Sequence, residues 1–343
     1  MPVACAIVAR MRRALCCAVL ALVSACPKSS PTPVMASQPA GVGCPAAKDV
    51  YVASYVQPAE GEQGYTGWVL PLHDAKVESL EGVPAFATID PSSATAAGVP
   101  APPRTVWLLP PNAPMCQATV GDFYAAAIDA PTPNVAYGAL LSGCPAPSSP
   151  DDGMAIALIS EQPPSECKAI PPRPVAARLG DIDAQGQWSR PTKETPMPEA
   201  FAKIVPARTC TAPDCETLWS VAEVEVGGAP VAWAGAVNWL EIPPGAAPTT
   251  QCEWKLDTFS GFFVAGADGA PVQVTDGQDH PLVLTAVLAD REGPKVLLAT
   301  GIGEYTSYDL AGGTATVGRH LVWLLEHPEA YGAIDRLGPD CGI

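Results

Sequence analysis

The sequence predicts a mostly β protein, with antiparallel sheets in two disulfide-bonded domains of sandwich or barrel type. The alternative is a single β-propeller-like domain. Three observations predict this class. Proline and glycine number 40 and 30 in 343 residues, which breaks the chain too often for long helices or bundles. Short runs of β-branched or alternating apolar residues recur between Gly, Pro and Asp clusters, the signature of strands and hairpins. There are also 12 cysteines, more than a reduced chain of this kind needs. With 48% hydrophobic and only 16% charged residues, the chain has enough apolar surface to build a core and is no disordered polyelectrolyte.

The N-terminus reads as an address. Arg10, Arg12 and Arg13 form a basic n-region, and residues 14–24 an apolar run. That run has signal-peptide length and is too short to span a bilayer. Val23-Ser24-Ala25-Cys26 follows and resembles the bacterial lipobox. The resemblance implies cleavage before Cys26 and acylation of its thiol, so that residues 1–25 are a signal peptide and a membrane is a partner through the lipid. The lipid-anchored body would then lie in the cell envelope, in the periplasm or at the cell surface. Residues 26–43 are small, polar and Pro-rich, which suits a flexible tether.

Cys5, Cys16 and Cys17 lie in the leader and Cys26 takes the lipid. Eight cysteines remain: Cys44, Cys116, Cys144, Cys167, Cys210, Cys215, Cys252 and Cys341. An even number beyond an export signal points to disulfides. No Cys-x-x-Cys occurs among them, and none has a His at zinc spacing, so neither metal nor cofactor is expected. The first four are expected to pair among themselves, and so are the last four. In the second set Cys210–Cys215 with Cys252–Cys341 is the first expectation and a Cys210–Cys252 bridge the alternative.

Strand-like runs at 49–56, 67–72, 105–109, 124–128, 135–141 and 154–159 make up a first domain over 44–190. The Pro-rich stretch 191–204 reads as a linker with a short helix from 199. The second domain, 205–343, reads as a meander of three hairpins. Strands 218–226 and 229–240 flank Gly227-Gly228; 259–265 and 272–274 flank Asp268-Gly269; 282–289 and 296–299 flank residues 290–293. Gly-Gly and Asp-Gly are the turn residues such hairpins require. Residues 317–327 carry leucines at helical spacing but could equally be a buried strand. Gly-Ala-Pro-Val recurs at 228 and 269, a spacing near the ~40–45 residues of a propeller blade, and this is what supports the alternative fold.

A formal charge of −16 repels phosphate backbones, which excludes nucleic acid as a partner. Candidate chemistry is sparse. Asp181-Ile-Asp183-Ala-Gln185-Gly186 begins like a calcium loop, but Thr192 stands where the bidentate Glu belongs, and a hairpin turn is expected. Ser165-Glu-Cys-Lys168 matches a bare S-x-x-K without its partner motifs, so Cys167 is read as half a disulfide. Asp276, Asp279 and His280, with Glu304, form a candidate acid–base cluster. Trp233 and Trp239 fall on one face of a regular strand and could stack on sugars if exposed, though core filling is the expectation. No assembled catalytic motif is found. The expected function is therefore an exported envelope lipoprotein that binds or scaffolds a protein or glycan ligand. An envelope hydrolase around His280 and a carbohydrate-binding module are the alternatives.

Overall fold

The computed structural model describes residues 41–57, 65–128, 133–149, 153–182, 188–189, 191, 193–208, 215–241, 255–274, 283–301 and 303–322. Cys26, Cys210, Cys252, Cys341 and the cluster Asp276, Asp279 and His280 lie outside them. The described fold is antiparallel β throughout, with two short α-helices and one 3-10 turn at Ala47–Asp49.

A closed barrel comes first in the chain. Its strands are β1 (Val50–Val56), β2 (Gly67–Lys76), β4 (Thr105–Leu109), β5 (Cys116–Ile128), β6 (Asn134–Ser142) and β7 (Met154–Leu158), with the short β3 (Ala87–Ile89) beside β5. The order β5-β4-β7-β1-β2-β6 closes through β5–β6 pairing, so the barrel has no free edge in that ring. Residues directly opposite each other in a sheet share a face. Following the registers round the ring puts Tyr51, Trp68, Leu70, Leu108, Leu141 and Ala157 on one face, and all are buried in one cluster. That face is the interior. Ala53, Ala118, Ala139 and Ala155 alternate with the large side chains there, as the narrow bore of a small barrel demands. Helix α1 (Pro91–Ala96) adds Ala94 to the same cluster. It starts on Asp90, whose carboxylate accepts the N–H groups of Ser92 and Ser93, with proline at the first turn where its missing N–H costs nothing.

On the barrel's outer face Tyr124 lies opposite Gly138. A Cβ on Gly138 would come within 2.6 Å of the Tyr124 ring, so glycine is what allows the ring to lie flat on the strand. Phe86 stacks on Tyr124 from above at 5.1 Å. Tyr124 is fully buried and its hydroxyl has no hydrogen-bond partner among the described residues; burial holds its pKa well above the usual phenol value. A buried hydroxyl without a partner keeps its desolvation cost. Tyr124→Phe should therefore leave the thermal midpoint unchanged or raise it, whereas Tyr124→Ala should lower stability by about 3–5 kcal/mol through the cavity it opens.

Two five-stranded sheets complete the structure. One has the order β19-β18-β17-β16-β8, with β8 (Lys168–Ile170), β16 (Val283–Asp290), β17 (Gly293–Thr300), β18 (Glu304–Ala311) and β19 (Thr314–Val322). The other has the order β15-β14-β13-β12-β9, with β9 (Arg173–Arg178), β12 (Cys215–Val226), β13 (Ala229–Glu241), β14 (Lys255–Ala265) and β15 (Pro271–Gln273). A further two-strand ribbon joins β10 (Asp181–Ile182) to β11 (Trp188–Ser189). Strand alternation sets the layers. Leu297, Ala299 and Tyr308 pack with Val224, Ala232 and Phe262 between the two sheets. Val296, Leu298 and Tyr305 face the other way, against barrel residues. The order is thus barrel, β16–β19 sheet, β12–β15 sheet. Over the outer face of the last sheet lies helix α2 (Glu199–Ala202) with Phe201 fully buried.

The barrel is held to its neighbouring sheet by specific polar contacts. Ala47 N–H donates to Asp309 Oδ1 at 2.8 Å, and Ser307 Oγ donates to Ala47 O at 2.8 Å. The Arg319 guanidinium donates to Lys48 O and sits 3.9 Å from the Tyr51 ring centroid. A Cβ at Gly318 would meet Ala47 Cβ at 2.4 Å, so only glycine permits this approach.

The three expected hairpins are present, with Gly228 and Gly269 in the left-handed region their turns require. The two Gly-Ala-Pro-Val sequences thus lie at two turns of one sheet and not in successive blades. Residues through Val322 of the segment expected as helix or buried strand are strand β19. Its Thr, Val and Gly residues fit a pleated ribbon better than a helix. Strands on either side of 191–204 share sheets, because β8 pairs with β16 and β9 with β12. Among the cysteines, Cys44 bonds Cys167 and Cys116 bonds Cys144, with Cα separations of 4.6 and 5.7 Å. Cys215 is also disulfide-bonded.

Candidate functional site

Where the outer wall of the barrel meets the β16–β17 face, the two surfaces do not close completely. They leave a cavity of about 430 Å³, within the ~300–1,000 Å³ of small-molecule sites. The barrel side is formed by β7 (Met154, Ala155, Ile156), Val52 of β1 and the Leu109-Pro110-Pro111 end of β4. The sheet side is formed by β8, β16 and β17. The volume is left open by small side chains, since Ala169 and Ala286 stand on the sheet side where larger residues would interdigitate.

A β-bulge shapes the sheet side. The β16–β17 register skips a residue between Leu284 and Ala286, so Thr285 and Ala286 both line the cavity. Bulges re-aim side chains in this way. The Thr285 and Thr300 hydroxyls lie 2.7 Å apart, and Thr285 Oγ1 is 3.3 Å from Val283 O. Lys168 is the only ionisable side chain among the described lining residues, the other sulfur or polar groups being the bonded Cys167, the Met154 thioether and the two threonines.

The residues singled out by sequence fall elsewhere. Glu304 is buried, but its described partner is His320, at 3.6 Å from Nε2. His320 Nδ1 lies 2.9 Å from Thr306 Oγ1. Hydroxyl, imidazole and carboxylate in a row have the connectivity of a nucleophile–base–orienter set. Thr306 is fully buried within the strand ladder, however, and no substrate could reach its hydroxyl. The set braces β18 against β19. His320 was not linked to Glu304 by sequence; the link follows from the Thr306–His320 register, which sequence spacing does not carry. Trp233 and Trp239 are buried, at 1% and 7% exposure, in the layer under α2, so this pair has no free face for a sugar. Ser165 sits in a turn after Pro163-Pro164, its N–H donating to Pro163 O at 2.8 Å, and Cys167 is in its disulfide. Asp181 begins the β10–β11 ribbon; Asp183, Gln185 and Gly186 lie outside the described residues.

No protein family, curated protein or solved structure matches the chain. Among the described residues no group of three or more His, Cys, Asp or Glu could hold a metal ion.

Proposed function

We propose that the protein is an exported cell-envelope lipoprotein whose β body is a binding module with no catalytic role. The cavity between barrel and sheet carries this reading. It is the size of a ligand site, its walls are apolar, and among its described lining residues no acid–base pair or free nucleophile faces the space. Two features support export and anchoring. The lipobox-like Val23-Ser24-Ala25-Cys26 follows a basic and apolar leader, and Cys44–Cys167 and Cys116–Cys144 are oxidised in the body, as in oxidising compartments. A triacylated Cys26 keeps even an acidic body on a membrane, because each buried CH₂ contributes ~0.8 kcal/mol.

Cys26→Ser should move the protein from the membrane pellet to the soluble fraction after alkaline washing, and should abolish uptake of radiolabelled palmitate. A variant that stays in the pellet, together with a wild type that takes up no label, would show that the anchor is not at Cys26.

A further inference from the structure

The cavity carries more than apolar walls. Val52, Leu109, Ile156 and Leu298 line it, and no aromatic ring does among the described residues. Alkyl walls give dispersion contact without a preferred stacking plane, which suits a flexible chain better than a ring. The apolar surface also runs out to solvent. Met154 lines the cavity and is 41% exposed, and Val283, the cross-strand partner of Thr300, is 63% exposed. Both are among the few large hydrophobics left exposed on the described surface.

Among the described lining residues the one ionisable side chain is a cation. Lys168 is exposed and lines the cavity, and it makes no ion pair or hydrogen bond among the described residues. In a chain with a formal charge of −16, a cation left unpaired beside an apolar cavity selects an anion. The Thr285–Thr300 hydroxyl pair adds a polar point on the wall. Thr285 Oγ1 donates to Val283 O or to Thr300 Oγ1; in the second case the Thr300 hydroxyl proton is left to donate to a ligand oxygen.

The geometry points to a site for an unbranched alkyl chain with an anionic head, a fatty carboxylate or an equivalent acyl amphiphile. The chain lies between the barrel and the β16–β17 face, and the head lies at Lys168. This deepens the binding reading above and is independent of the anchor at Cys26.

The test uses the full chain carrying Cys26→Ser, so that no lipid of its own competes, and isothermal titration with octanoate, decanoate and dodecanoate. Affinity should tighten about fourfold per added methylene. Decanoate should bind at least tenfold more tightly than decyltrimethylammonium, and Lys168→Glu should remove that preference. Ala286→Leu, which fills the cavity from the sheet side, should weaken decanoate at least tenfold with a thermal midpoint unchanged or raised. Unchanged decanoate affinity in folded Ala286→Leu overturns the site. Equal binding of the anionic and cationic probes, both blocked by Ala286→Leu, overturns the ligand class but leaves the binding module standing. No binding of any probe overturns both. With binding established, phosphatidylglycerol vesicles carrying a labelled acyl chain name the source. Transfer blocked by Ala286→Leu identifies a membrane lipid, and uptake of decanoate without transfer identifies the free acid.

Discussion

Replacing Cys44 and Cys167 together by alanine should lower unfolding stability by about 5 kcal/mol, more than any other cysteine pair in the described body. The two are 123 residues apart in sequence, and closing a loop of that length removes about that much chain entropy from the unfolded state. Cys116 and Cys144 are only 28 apart, so the same change there should cost about 3.5 kcal/mol. The native surroundings add to the difference. Cys167 is buried with Val50, Leu158, Leu288 and Val296 where barrel and sheet meet. The bridge thus pins the start of the body to β8, and through β8 to β16. Guanidinium titrations of the two double variants under identical oxidising conditions check the order. A smaller loss for Cys44/Cys167 than for Cys116/Cys144 would mean that residual structure, and not loop length, governs the unfolded chain. Because Cys167 also lines the cavity, the first variant should weaken alkyl-chain binding as well, and the second should not.

The barrel strands were readable because each carries its own signal. Thr-Val-Trp-Leu-Leu alternates cleanly between intermediate and buried positions, and Val-Tyr-Val-Ala-Ser-Tyr-Val is rich in β-branched and aromatic residues. Closure of the barrel was not readable, since it depends on β5 meeting β6 in one register and no local residue specifies that. β18 (Glu-Tyr-Thr-Ser-Tyr-Asp-Leu-Ala) escaped for a different reason. It is buried on both faces between barrel and sheet, with Thr306 and Ser307 fully buried, and these two hydroxyls bond His320 and Ala47. Apolar periodicity cannot reveal a strand whose core-facing residues are hydroxyls. Helix α1 had a legible start in Asp90-Pro91 that strand patterning on either side obscured. The cavity was the least legible feature. It exists because alanines at 169 and 286, on two separate strands, leave a gap opposite the barrel wall, and each alone reads as an ordinary small residue in a strand.

Phe201→Ala should lower stability by about 3–5 kcal/mol, the usual cost of deleting a buried aromatic side chain, although Phe201 lies in a stretch that reads as a linker. Its ring is fully buried against the β12–β15 sheet, 5.3 Å edge-on from Phe263 and 6.5 Å from Phe259. The ring also covers Gly235, where a Cβ would stand 2.2 Å from the Phe201 Cζ atom. Gly235 pairs with Gly261 across β13 and β14, so the middle of that sheet has no side chains of its own at this point. The helix supplies the missing ring. Gly235→Ala alone should destabilise the protein, because its Cβ displaces Phe201. Combined with Phe201→Ala it should fit the vacated space and regain part of the loss, since alanine in a strand is favoured over glycine by roughly 0.5–1 kcal/mol. The double-mutant cycle should therefore show a coupling of about 1–3 kcal/mol, read from denaturant titrations of the three variants and the wild type. Strict additivity would mean that Phe201 does not rest on Gly235. A negligible loss in Phe201→Ala would mean that α2 lies on the sheet without being held there by its ring.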